Sequence, residues 1–137
     1  MEIEFVTSIA VIAPDPPRSR QLYVEALGLP LADDSGSGYF HSDQVAGTRH
    51  FGVWPLSQAA RACFGQDDWP ADVPVPQVSI EFEVGDLDAL AAASEELAAG
   101  GHQLLHPPRE EPWVQTVARL LSPEGAVVGI SFAPMLH

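Results

Sequence analysis

Residues 5–13 (FVTSIAVIA) form a β-branched, apolar run that Pro14 ends, which predicts a buried strand. Asp15 follows as an N-cap, and Pro16 and Pro17 sit where a first helical turn accepts proline. That helix is predicted to reach about Leu27, with Leu22, Tyr23, Ala26 and Leu27 on one apolar face and Gly28 as its stop. Short strands are expected near 29–32, 38–42 and 49–54, with a hairpin turn at DDSGSG (33–38) and a short helix over 57–64. Residues 65–77 are rich in Pro and Asp and read as an extended connector.

The pattern then starts again. Residues 78–84 (VSIEFEV) alternate as a strand, and Asp86 caps a helix with an apolar stripe of Leu87, Leu90, Ser94 and Leu97. Gly100 and Gly101 stop it. A strand over 102–105, a loop with two prolines, and strands near 114–121 and 126–133 around the turn Ser122–Gly125 are expected next. SIAVIAPD at 8–15 aligns with SIEFEVGD at 79–86, so Ser79 answers Ser8 at an offset of 71, and Asp86 answers Asp15 at the same offset. Each segment leads into a helix, a glycine and further strands. This order points to a duplicated unit, repeat 1 over about 4–64 and repeat 2 over about 78–134, packed as one domain over 1–137.

Composition narrows the function. An apolar fraction of 46% argues against disorder, and no stretch approaches the roughly 20 apolar residues of a membrane span. The acidic start MEIEFVTSIAV does not resemble a basic secretory signal, so a cytoplasmic location is expected. Cys63 is the single cysteine, which excludes an intrachain disulfide and a thiolate cluster. Nineteen acids against six arginines give a net charge of −13, which repels phosphate backbones and anionic membranes. Nucleic acid and membrane are therefore not expected as partners. Such a surface suits a cationic ligand, and it also simply keeps a protein in solution.

The order of motifs resembles the vicinal oxygen chelate superfamily, which includes glyoxalase I, extradiol dioxygenases and bleomycin-resistance proteins. IAVIAPDPPRSRQLYVEALGLPL (9–31), FEVGDLDAL (82–90), GGHQLL (100–105), PWVQTVARLL (112–121) and LLSPEGAVVGISF (120–132) carry the likeness. The resemblance implies an α+β fold: tandem βαβββ units forming a curled mixed sheet around a central cup, in a chain that commonly pairs as a homodimer. Metal-dependent members place a His on the first strand and a carboxylate on the last strand of each half. Here those positions fall on Ser8, Ser79 and Gly129, with the fourth near Trp54. Neutral serine is a poor ligand, glycine has no side chain, and indole N–H only donates. The expectation is a vacant ancestral metal site and no cofactor.

Other residues could give the cup chemistry. Ser79, Glu81 and Glu83 share one face of their strand, and Glu81 is expected to sit deeper than Glu83 and to be the better candidate for binding a cation or serving as a general base. A solvated place at the mouth or at a dimer contact is the plain alternative for both. His41, His50 and His102 are also available, although a lone histidine is more often a packing or surface residue. Tyr39, Phe40, Phe51, Trp54, Phe64, Trp69 and Trp113 are expected to rim the cup, where aromatic walls suit a planar or peptide-like ligand. Gln115 and Arg119 alternate onto one face and could orient its carbonyls or acids. Three readings follow: metal-independent sequestration of a small molecule through Tyr39, Phe51, Trp54, Glu81, Trp113, Gln115 and Arg119, as in antibiotic resistance; an enzyme with a rebuilt metal site or metal-free acid–base chemistry at Glu81; or a closed cup acting through dimerisation.

Overall fold

In a computed structural model describing Met1–His137, seven strands form one open mixed sheet. They are β1 (Phe5–Ala13), β2 (Phe40–Ser42), β3 (His50–Pro55), β4 (Val78–Glu83), β5 (Leu104–Glu110), β6 (Thr116–Leu121) and β7 (Val127–Phe132). Their order is β2-β3-β1-β4-β7-β6-β5. The first strand of each repeat meets the other at the centre, antiparallel, and each pairs on its outer side in parallel with the last strand of its own repeat. β2 on β3 and β6 on β7 continue the two halves antiparallel.

Helices α1 (Pro16–Arg20) and α3 (Leu87–Ala99) cover one face of this sheet. Val11, Ala13, Phe51 and Val53 pack there with Tyr23 and Val24 of the first repeat. Phe82, Val84 and Ile130 pack with Leu90 and Ala93 of the second. The opposite, inner face carries helix α2 (Leu56–Phe64), whose Ala59 and Cys63 close over Ile12 and Val127. Trp54, Phe64 and Trp69 complete that cluster. Both capping aspartates do what their positions imply: Asp15 accepts from the Arg18 N–H and Asp86 from the Ala89 N–H.

The elements depart from the sequence pattern in four places. The first helix widens into a π-helical turn over Gln21–Ala26, with Leu27 N–H donating to Leu22 C=O. An i→i+5 turn rotates the expected apolar face. Tyr23 and Val24 face the core, whereas Leu22 and Leu27 are exposed. The strand expected at 29–32 shrinks to one bridge, Ala32 to His41, standing outside β2 as β5 stands outside β6. The expected proline loop is instead part of β5. Pro107 and Pro108 are tolerated because β5 is the sheet edge and its register is irregular there. Leu87 lies outside the buried stripe of α3, which consists of Leu90, Ala93 and Ser94.

The β5–β6 turn contains the one non-glycine residue with positive φ, Val114 at 64°. Its side chain is exposed, so it offsets none of the steric cost of a β-branched residue in the left-handed region. Val114→Asn is expected to raise stability by about 1 kcal/mol, read from denaturant unfolding midpoints.

Candidate functional site

Strand register places one row of side chains across the inner face. His50 lies beside Ser8, Ser8 beside Glu81, Glu81 beside Gly129, Gly129 beside Arg119, and Arg119 beside His106. Six strands each contribute one member. The row crosses the seam between the two repeats, because Ser8 and Glu81 sit on the central strands β1 and β4.

Glu81 is the node of this row. Its Oε1 accepts from Ser8 Oγ at 2.9 Å and from Gln115 Nε2 at 2.9 Å, and its Oε2 lies 3.8 Å from Arg119 Nη2. The Gln115 amide is held in one orientation, since its Oε1 accepts from the Trp113 indole N–H at 2.7 Å. Trp113 stands at the exposed tip of the β5–β6 turn, so an aromatic ring at the margin is wired through one amide to a buried carboxylate.

Arg119 is 1% exposed and donates from Nη1 to Glu111 Oε1 at 2.8 Å. Its guanidinium carbon lies 5.7 Å from the centre of the Trp54 ring, and its Nε–H has no partner. Burial raises the Glu111 carboxyl, but hydrogen bonds and charge from Arg119 and Arg109 outweigh it and hold the group below its ordinary value. Burial, with the charges of Arg119 and Arg109, lowers His106 despite its contact with the Pro107 carbonyl. Burial also pushes the Cys63 thiol up to about 11, against the opposing charges of Arg119 and Arg109. Cys63 is therefore a packed, un-ionised thiol.

The first repeat contributes a different cluster. Tyr39 lies over Gly52, stacked on His41 with ring centres 4.8 Å apart. The Tyr39 hydroxyl is 2.7 Å from His50 Nε2, and His50 Nδ1 is 2.5 Å from Asp43 Oδ1. Burial, and then the Glu81 and Asp43 charges, hold the Tyr39 hydroxyl above the usual tyrosine range. The partners of His50 are not legible locally, because Tyr39 precedes β2 and Asp43 follows it, and both reach His50 only once β2 folds back on β3. The one signal available was the Tyr39/His41/His50 spacing on two adjacent short strands.

Register also narrows the fourth position that the resemblance implies, expected near Trp54. Gly129 pairs with Glu81, which is 71 residues after Ala10, and Ala10 pairs with Gly52. The counterpart of Gly129 is thus Gly52, two residues before Trp54. A Cβ on Gly52 would come within 2.3 Å of the Tyr39 hydroxyl, and one on Gly129 within 2.8 Å of Glu81 Cγ. Tyr39 and Glu81 fill the space that side chains at those positions would need. No three His, Cys, Asp or Glu side chains converge as metal ligands. The one carboxylate beside Ser8 is already engaged by two donors and faces a guanidinium, so this residue set does not fit the metal that the resemblance implies.

The remaining expected residues separate. Phe51 is not on the inner face: it packs 6.2 Å from the Tyr23 ring on the helix side, as does Phe40, because alternate residues of a strand point opposite ways. Phe64 and Trp69 meet edge-on at 4.9 Å within the α2 cluster. Ser79 is buried beside Val127, outside the row. Glu83, expected to be the shallower acid, is fully buried and Glu81 is 8% exposed. A register shift between Val6 and Ser8 turns Thr7 inward as well. Glu83 then accepts from Thr7, Ser131, the Ala133 N–H and His137, a set that satisfies a carboxylate and leaves it structural.

Two strand–helix halves of like topology, paired around a polar row, define a small α+β protein with its candidate site at the seam between them. The family model for the Glyoxalase/Bleomycin resistance protein/Dioxygenase superfamily matches residues 6–130, and the chain belongs to that superfamily. No curated protein matches the sequence. Among solved structures, a superfamily member from Vibrio splendidus has 14% identity and a TM-score of 0.58, with 96% of this chain and 99% of that one covered. The Mn(II)-bound glyoxalase from Novosphingobium aromaticivorans has 15% identity and a TM-score of 0.61, with 93% of this chain and 37% of that one covered. A Streptomyces coelicolor methylmalonyl-CoA epimerase in complex with 2-nitronate-propionyl-CoA has 14% identity and a TM-score of 0.55, with 97% and 96% covered. At these identities the likeness is one of fold. No helix is long and apolar enough to cross a membrane.

Two outcomes test the site's electrostatics. His106 titrates lower in the folded chain than its ordinary 6.5, so the unfolded chain binds more protons and stability falls as pH drops below about 6.5. Glu111 is held below its ordinary 4.5, so its contribution is present above that value and is lost as pH falls through the window beneath it. Unfolding free energy measured against pH should lose the upper step in His106→Gln and keep the lower one. Glu83→Ala, which removes the acceptor shared by Thr7, Ser131, the Ala133 N–H and His137, should cost about 3 kcal/mol in the same measurement.

Proposed function

We propose that the inner face binds a small organic molecule without a metal ion, through Glu81, Gln115, Arg119, Trp54, Trp113 and Tyr39. The observation that carries this reading is the buried, unpartnered Nε–H of Arg119. A buried donor left unpaired costs about 1–3 kcal/mol, and because this atom has no free surface, a ligand acceptor recovers that cost only as the side chains covering it move aside. Trp54 beneath the guanidinium and Trp113 at the margin supply flat apolar surface. A net charge of −13 favours a neutral carbonyl or amide acceptor, or a cationic molecule bearing one, over a free carboxylate. Planar, peptide-like compounds meet these requirements, and sequestering an antibiotic of that kind is the biological role we infer. A homodimer, as the family resemblance implies, and the cytoplasmic location expected from the acidic N-terminal stretch complete this reading.

Isothermal titration calorimetry with naphthamide, naphthoate and naphthalene tests it. Naphthamide should bind about tenfold more tightly than naphthalene, the value of a charge-assisted hydrogen bond, and also more tightly than naphthoate at low salt. The amide preference should vanish in Arg119→Lys, which keeps the charge and removes the Nε–H geometry. Absence of binding by all three compounds, or a stoichiometric transition metal in the purified protein, would overturn the proposal.

A further inference from the structure

The cluster of Tyr39, His50 and Asp43 has an internal polarity. Asp43 as a carboxylate only accepts hydrogen bonds, so the proton of a neutral His50 ring belongs on Nδ1, and Nε2 is left as an acceptor for the Tyr39 hydroxyl. Asp43 is largely exposed and His50 partly so, whereas Tyr39 lies inward over Gly52. The three groups thus form a continuous line from solvent to the inner face. Its inner end is close enough to Glu81 for that carboxylate's charge to act on the Tyr39 hydroxyl. The other charged or titratable groups facing His50 are His41, at 5.1 Å between ring centres, and through it Asp34.

We propose that Asp43, His50 and Tyr39 form a proton relay, in which Tyr39 exchanges a proton with a bound molecule carrying an ionisable phenolic or enolic hydroxyl. Tyr39 O–H gives its proton to His50 Nε2 while the ligand hydroxyl gives its proton to the Tyr39 oxygen. The products are a ligand oxyanion that accepts from the restored Tyr39 O–H, and a His50 imidazolium neutralised by Asp43. Protons and charge balance with no added reactant, and the largely exposed Asp43 carboxylate on His50 Nδ1–H passes the proton to water. Tyr39 never has to become a phenolate, which its burial disfavours. His50 and Asp43 are positioning residues, acting through Tyr39.

The ligand exchange rests on the binding reading above, but the relay has a readout without any ligand. Long-range nitrogen–proton NMR of the neutral protein should show the His50 proton on Nδ1, moving toward Nε2 in Asp43→Ala. A proton on Nε2 in the parent overturns the relay. With ligand, the probe is para-nitrophenol, with para-nitroanisole as the control that lacks the hydroxyl. At about pH 6 the bound phenol should show the phenolate absorbance band in the parent. Tyr39→Phe and His50→Gln should abolish that band, while para-nitroanisole still quenches tryptophan fluorescence in His50→Gln as it does in the parent. Asp43→Asn, which keeps an acceptor but loses the charge, should shift the pH at which the band appears. Binding of both compounds with no phenolate band, or a band that survives in Tyr39→Phe, overturns the proposal. Failure of both compounds to bind counts against the binding site, and the NMR result then decides the relay alone.

Discussion

A carboxylate placed at the centre of a sheet must be compensated, and the inner face is organised around meeting that requirement for Glu81. Desolvating an ion costs several kcal/mol, and only good geometry with further hydrogen bonds recovers it. Ser8 and Gln115 supply the hydrogen bonds and Arg119 the opposing charge. Arg119 is in turn a buried cation, so Glu111 balances it, and Arg109 reaches Glu111 from the edge strand. The chain of compensation runs outward until it meets solvent. Each step fixes a neighbour, which is why the second half of the face is rigidly specified, and why Arg119 Nε, the one donor outside the chain, stands out.

Glycine makes this arrangement sterically possible. Gly52 and Gly129 occupy equivalent registers in the two repeats, and both lack the Cβ that would collide with a neighbouring side chain. The two halves of the sheet therefore have matching openings on the inner face, filled differently. The second repeat admits Glu81 from the adjacent central strand, and the first admits Tyr39 from beside the outer strand. One opening became the seat of a compensated ion pair and the other the seat of a neutral hydrogen-bonded line.

How much of this could be read from the sequence follows from which interactions are local. β1, β4, β7, α2 and α3 were legible because period, caps and stops are written within ten or so residues. The π-helical turn was not, since Gln21–Ala26 reads as ordinary helix and only packing of Tyr23 and Val24 widens it. Gln115 and Arg119 were legible as one face of a strand, and they do converge on Glu81. Phe51 lies on the helix side because it shares the strand parity of Val53, a parity that its aromatic character masks in the sequence. The relative depths of Glu81 and Glu83 depended on a register shift at Thr7 and on donors as distant as Ser131, Ala133 and His137. No local pattern carries that information.

The two serines make the same point about chemistry. Ser8 and Ser79 are equivalent by repeat, yet the antiparallel pairing of β1 with β4 sets Ser8 beside Glu81 and Ser79 beside Ala10. Equivalent positions in a duplicated fold thus face unequal neighbours as soon as a residue two places along differs, here Glu81 against Ala10. A hydroxyl that meets a carboxylate becomes part of a polar site, whereas one that meets a methyl group is only a buried small residue. The polar cluster at the seam is therefore a product of asymmetry between the two halves. Its chemistry resides in Glu81, Arg119, Tyr39 and His50, none of which has the same residue at the matching register of the other half.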